Sequence, residues 1–185
     1  MTKTTALLSA AAFFIAAAAG AAESPGAVKA MLKTADGKNA GIVTITETPS
    51  GVLVSAEFAG LPPGTHAFHI HTVGKCEPPF ASAGDHFNPG GKKHGFEHDG
   101  GYHAGDMPNV VIGDSGAAKV DTFVPNVHLK SGSAMLLDND GSALVVHAGV
   151  DDYKSDPAGN AGDRIACGVV EGLEGVKIED LKVAP

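Results

Sequence analysis

Between residues 41 and 60, "GIVTITETPSGVLVSAEFAG" alternates apolar and polar positions, with Val43 and Ile45 before a Pro-Ser-Gly turn and Val52, Val54, Ala56 and Phe58 after it. A period of two sends successive side chains to opposite faces of a strand, so the stretch predicts a β-hairpin. The alternation continues in "THAFHIH" at 65–71; "AKVDTFVP" at 118–125 and "SAMLLD" at 133–138 predict further strands. Asn139-Asp140-Gly141 predicts a turn into "SALVVHAG" at 142–149, and "RIACGVV" at 164–170 is the last apolar segment. The 25 glycines and 11 prolines supply turns. No stretch keeps a helical period over helical length, although "GLEGVKIEDLKV" at 172–183 reads either way. Short strands separated by loops predict an all-β antiparallel sandwich or barrel. The gaps at 72–109 and 148–163 are longer than ordinary connections, and loops of that length commonly carry function.

The chain ends add a setting. Lys3, an apolar run from Ala6 to Ala19 and an Ala19-Gly20-Ala21 cleavage signal read as a secretory signal peptide over 1–21, with Gly20-Ala21-Ala22 as an alternative cut. A membrane anchor is the competing reading, but the run is shorter than the ~20 residues a span needs. Residues 22–185 then form one domain, with no membrane contact after leader removal. The formal net charge is −8, and losing Lys3 with the leader makes the remainder more acidic. Nucleic-acid binders usually carry a basic face, so nucleic acid is excluded as a partner. Cys76 and Cys167 are the two cysteines; in an exported chain they predict a disulfide, against two buried thiols.

Six of the nine histidines lie in two places: His69 and His71 in "AFHIH", and His86, His94, His98 and His103 in "DHFNPGGKKHGFEHDGGYHAGD". Residues two apart on a strand share a face, so His69 and His71 can approach one ion. Imidazole suits copper and zinc, and a carboxylate can complete a zinc tetrahedron, as Asp106 would for His86, His94 and His103. His147, alone among apolar neighbours in "LVVHAG", reads as a core histidine by itself and as a ligand beside "HIH". His66 and His128 read as structural, and His98 as exposed. The spacing predicts a metal site without choosing the metal.

Taken together, "GTHAFHIH", "SAGDHFNP", "KHG", "HAGDMPNV", "LVVHAGVDD" and "GNAGDRIACGVV", in that order, resemble the copper/zinc superoxide dismutases of exported bacterial type over about Val28 to Val170. The resemblance implies an eight-stranded Greek-key β-barrel of immunoglobulin-like sandwich type with long metal-binding and active-site loops. It implies copper (Cu) on His69, His71, His86 and His147, and zinc (Zn) on His86, His94, His103 and Asp106, with His86 bridging both. It also implies that Asp151 holds His69 and His94 from behind, and that Arg164 holds the superoxide anion. The implied activity is dismutation of superoxide to oxygen and hydrogen peroxide, with zinc redox-silent and a proton carried by His86. Such an enzyme would serve as an antioxidant in the periplasm or otherwise outside the cytoplasm. Lys92, Lys93 and Lys154 are candidates for steering the anion, a homodimer is left open, and the tail after about 171 has no assigned role.

Two other classes compete. A metal carrier would keep exchangeable ligands and need neither a shared histidine nor Arg164. A non-catalytic sandwich module would have lost a copper ligand or Arg164, and none is missing.

Overall fold

A computed structural model of the chain describes residues 26–172. The leader, and "GLEGVKIEDLKV" beyond Gly172, lie outside the described residues. The described residues form ten strands: β1 Ala27–Thr34, β2 Asn39–Thr48, β3 Gly51–Phe58, β4 Gly64–His66, β5 Phe68–His71, β6 Val110–Ile112, β7 Ala118–Pro125, β8 Ala143–His147, β9 Arg164–Val169 and β10 Glu171–Gly172. Among the described residues the only helical element is a 3-10 turn at Ala81–Ala83.

One antiparallel sheet runs β5-β8-β9-β1-β2-β3-β7, with β10 added to β1, and β4 pairs with β6 in a small second sheet. Strands β1, β2 and β3 lie side by side, while β7 returns beside β3 and β8–β9 return to the other side of β1, a Greek-key order. The β4–β6 pair links the two edges of the curled larger sheet, because β4 continues β5 and β6 leads into β7. The fold is the expected all-β Greek-key architecture.

The hairpin forms as its alternation requires. Val43, Ile45, Val52, Val54, Ala56 and Phe58 all point into the core, joined by Leu32, Phe68, Ile70, Leu144 and Val146 from other strands. "THAFHIH" divides at Ala67, whose N–H donates to the Gly149 carbonyl and whose carbonyl accepts from the His147 N–H. Those bonds go to the chain leaving β8, so Ala67 is where the strand changes sheets. "SAMLLD" is not a strand, contrary to its apolar run. Its backbone folds on its own loop, with the Leu136 N–H donating to the His128 carbonyl and the Leu137 N–H to that of Leu129. Leu136 reaches the core from that loop. The two long gaps are irregular from 72 to 109 and from 148 to 163 apart from the single 3-10 turn.

Cys76 and Cys167 form a disulfide across a separation of 91 residues. It is packed by Phe80, Ala83, Ala143 and Val145, a small cluster beside the main core. The bridge ties the first long loop to β9, three residues after Arg164. Replacing both cysteines by alanine should lower stability by about 4–5 kcal/mol on the chain-entropy account of a loop this long. Thermal unfolding measures the loss, and a thiol reagent should label nothing in the folded, unreduced protein.

Candidate dinuclear metal centre

Strand β5 lies at the edge of the large sheet, and its free edge is covered by the first long loop. The Thr72 N–H donates to the Asp85 carbonyl, the Phe87 N–H to that of Ile70, and the Ile70 N–H to that of Gly105. This backbone lacing sets His71 opposite His86 and His69 opposite Asp106. On the other side β8 pairs with β5 and ends at His147. Four histidines from a strand, a loop and a second strand are thereby brought to one point.

Two four-residue donor groups result, beside a smaller one of His69, His94 and Asp151. His69, His71, His86 and His147 form one, and His86, His94, His103 and Asp106 the other; within each, the potential ligand atoms lie within 4.8 Å of one another. All seven residues are buried. Every residue named from the sequence as a ligand is therefore in one of the groups, and His86 is in both.

The hydrogen bonds show which ring atom faces where. His71 presents Nδ1 to the Gly84 carbonyl at 2.9 Å, and His147 presents Nδ1 to that of Gly162 at 3.3 Å. His69 Nε2 meets Asp151 Oδ2 at 2.8 Å. The opposite nitrogens, His69 Nδ1, His71 Nε2 and His147 Nε2, are buried without a partner, as is His86 Nε2. In the second group the Nδ1 atoms of His86, His94 and His103 converge on Asp106 Oδ1 at 2.9, 3.1 and 3.5 Å. His86 thus gives Nε2 to one group and Nδ1 to the other. Asp106 is itself oriented through Oδ2, which accepts from the N–H groups of Gly95 and His103.

Asp151 joins the groups from behind, with Oδ1 at 2.9 Å from His94 Nε2 and Oδ2 on His69. A carboxylate on the far nitrogen of a ligating imidazole fixes its tautomer and angle. Asn109 secures Asp151 in turn: its amide donates to the Asp151 carbonyl and its side-chain oxygen accepts from the Asp151 N–H.

Burial, aided by the neighbouring His86 charge, holds the imidazole pKa of His71 down at about 2. Burial likewise brings His147 to about 3 and His86 to about 4, in the latter against the pull of Asp106. These rings are neutral at ordinary pH, the form that binds a metal. Burial also opposes a proton on His94, but Asp106 and Asp151 outweigh it and raise that group to about 9. Burial would raise both carboxyls, yet the histidines around each hold Asp106 and Asp151 well below the usual range.

Arg164 begins β9 directly opposite His147. Its Nη1 donates to the Phe80 carbonyl and its Nη2 to the Gly84 carbonyl, each at 2.7 Å. Gly84 therefore supports both Arg164 and His71. Burial lowers the Arg164 pKa, and Asp85 opposes that. Arg164 lines a cavity of about 540 Å³ together with His86, His103, Lys92, Asp85 and Asp138. Of the three lysines named from the sequence, Lys92 lines this mouth, whereas Lys93 is paired with Asp156 at 2.8 Å. Lys154 is not part of the lining.

The remaining histidines fall elsewhere. His66 is buried between the carbonyls of Pro62 and His147, His128 meets Glu47 at 2.6 Å, and His98 is half-buried with Nδ1 accepting from the Gly100 N–H. None joins either donor group. Phe80, Gly84 and Asn109 carry parts of the site that were not named from the sequence. Phe80 and Gly84 act through backbone carbonyls, which leave no mark on residue type, and Asn109 lies within "HAGDMPNV" without a ligand's chemistry.

Fold and site define a metal-binding β-barrel whose two donor groups share one histidine. The chain belongs to the copper/zinc superoxide dismutase family, whose description matches residues 39–170. It is 53% identical to Superoxide dismutase [Cu-Zn] 2 of Aquifex aeolicus over 76% of this chain and 84% of that one. It is 47% identical to Superoxide dismutase [Cu-Zn] of Caulobacter vibrioides over 77% and 84%. A crystal structure of a double mutant of a superoxide dismutase-like protein from Bacillus subtilis superposes with a TM-score of 0.75 at 42% identity, covering 78% of this chain and 97% of that one.

Gly159 lies over the Asp151–His94 contact in a left-handed backbone with φ 64°, and a Cβ there would collide with both side chains. Gly159→Ala should cost about 1–2 kcal/mol from the backbone alone, with the collision added. Urea unfolding should show the loss, and limited proteolysis should cut faster within 148–163.

Proposed function

We propose that this protein is an exported enzyme that dismutates superoxide, with copper held by His69, His71, His86 and His147 and zinc by His86, His94, His103 and Asp106. The observation that carries the reading is the set of four buried, unpartnered imidazole nitrogens turned toward one point. Four nitrogens suit copper, and three nitrogens with one carboxylate oxygen suit a closed zinc site. Copper held there by His69, His71, His86 and His147 would supply the one-electron redox chemistry by which two superoxide anions and two protons are converted to oxygen and hydrogen peroxide.

The chain's own groups do the rest. His86 holds both donor groups together and offers Nε2 as an atom on which a proton can be carried. Asp106 and Asp151 keep the rings at fixed angles. Arg164 makes no ion pair among the described residues, since its two bonds go to neutral carbonyls, so its charge is available to an anion. Residues 1–21 act as the export leader and 22–185 remain as the superoxide dismutase domain; a disulfide suits that destination. Metal analysis of the exported protein alongside a superoxide-consumption assay tests the whole reading: bound copper and zinc without consumption would make it a carrier, and absence of both would make it a non-catalytic module.

Because one residue serves both groups, His86→Ala should impair copper and zinc together: the copper spectrum should change, zinc should bind more weakly and dismutation should largely vanish. Unchanged zinc affinity would remove the bridge. Arg164→Ala should leave metal content and copper spectra nearly as they were while slowing the reaction about 10-fold, the low end of electrostatic steering. Parent activity should fall with salt as the screening length drops from ~10 Å at 0.1 M to ~3 Å at 1 M, and the variant should show a shallower slope. A full-speed variant with the parent's salt slope would pass the steering role to Lys92.

A further inference from the structure

We infer that Tyr153 is the residue that positions Asp151, and through it keeps His69 and His94 in register across the two donor groups. The inference rests on the dinuclear reading above. Tyr153 touches neither group itself. Its N–H donates to Asp151 Oδ1 at 2.7 Å, on the oxygen that faces His94. Its hydroxyl oxygen accepts from the Asn109 N–H at 2.7 Å, and the Asn109 side chain makes both backbone bonds to Asp151, at 2.8 and 2.9 Å. Asp151, Tyr153 and Asn109 form a closed ring of hydrogen bonds around the carboxylate that joins the groups.

The same residue clips the second long loop to the first. The Tyr153 carbonyl accepts from the Glu97 N–H at 3.0 Å. Gly95, the residue after His94, approaches that carbonyl so closely that any Cβ would collide with it. Gly95 also donates to Asp106. The Tyr153 ring lies against Phe96, with centroids 5.5 Å apart. Tyr153 adopts φ 59°, a left-handed backbone that residues with a side chain rarely take. Four anchors, two from the backbone and two from the side chain, hold it there.

Tyr153→Phe removes only the hydroxyl and leaves the ring and backbone bonds. In the full protein, zinc titrated into this variant should bind about three- to ten-fold more weakly, the worth of one net hydrogen bond. The Cu(II) spectrum of the copper- and zinc-loaded variant should also be displaced from the parent's, because His69 loses its fixed angle. Phe96→Leu loosens the ring contact but spares every hydrogen bond, so it should lower thermal stability while leaving zinc affinity and the Cu(II) spectrum alone. Parent-like zinc affinity and Cu(II) spectrum in Tyr153→Phe overturn the inference whatever happens to its stability, as does an equal spectral shift in Phe96→Leu. If Tyr153→Phe does not fold, Tyr102→Phe provides the second measurement, since the chain has two tyrosines and no tryptophan. Tyr153 is then the sole emitter: fluorescence that changes and saturates with stoichiometric zinc supports the clip, and indifference to zinc overturns it. A parent that binds neither metal overturns this inference and the proposed function together, whereas a parent that binds both beside an unaltered Tyr153→Phe overturns the clip alone.

Discussion

Four buried imidazole nitrogens without a protein partner, one each on His69, His71, His86 and His147, are the constraint on which the rest of this structure depends. A buried polar atom left unsatisfied costs about 1–3 kcal/mol. Four together would rival the entire stability of a typical domain, about 5–15 kcal/mol. Ordinary packing has no use for such an arrangement, and a bound cation resolves it. The far nitrogens of His69, His71 and His147 are meanwhile held by Asp151 and two backbone carbonyls, so these rings are aimed before any ion arrives. The loops around them, irregular in backbone, are rigid where it matters because their hydrogen bonds end on these rings.

The disulfide, the 3-10 turn and Arg164 belong to the same construction. Cys76 anchors the first long loop to β9, and the loop then supplies the carbonyls of Phe80 and Gly84 that fix Arg164. The same Gly84 carbonyl meets His71, so the Arg164 guanidinium and a ring of the four-histidine group share one support. A disturbance of the bridge is therefore transmitted to the site through a short chain of named bonds.

Sequence reading reached the parts of this that are written in residue type. Alternation identified β2, β3 and β5, the sequence also marked β7 and, through the Asn139-Asp140-Gly141 turn, β8, and the length of the two gaps located both long loops to the residue. Strand β1 escaped it because Met31, on the outward face, blurs the alternation of Val28, Ala30 and Leu32. "SAMLLD" misled in the opposite way: its apolar side chains belong to a loop whose backbone bonds to itself. Period two placed His69 and His71 on one face, and residue type set Asp106 with His86, His94 and His103 and offered His147 beside the first pair, but the sharing of His86 between the two groups came from family resemblance. Lacing by backbone bonds along β5, which creates that union, has no residue-level signature. Nor does the ring of Asn109, Tyr153 and Asp151, which depends on a left-handed tyrosine that no propensity favours.

Electrostatics close the account. An acidic chain facing an anionic substrate must attract it with a local field, because the net charge opposes approach. Aspartates at 85 and 138 line the mouth, so the cations there cannot all be neutralised in ion pairs if an anion is to enter. Lys93 is spent on Asp156 and contributes little beyond that pair. Arg164 is arranged differently: carbonyl oxygens fix its plane without an ion pair among the described residues, and a guanidinium offers directed donors as well as a positive centre. Orientation by neutral acceptors is what lets one half-buried arginine be both rigid and electrically exposed at the mouth of an otherwise acidic protein.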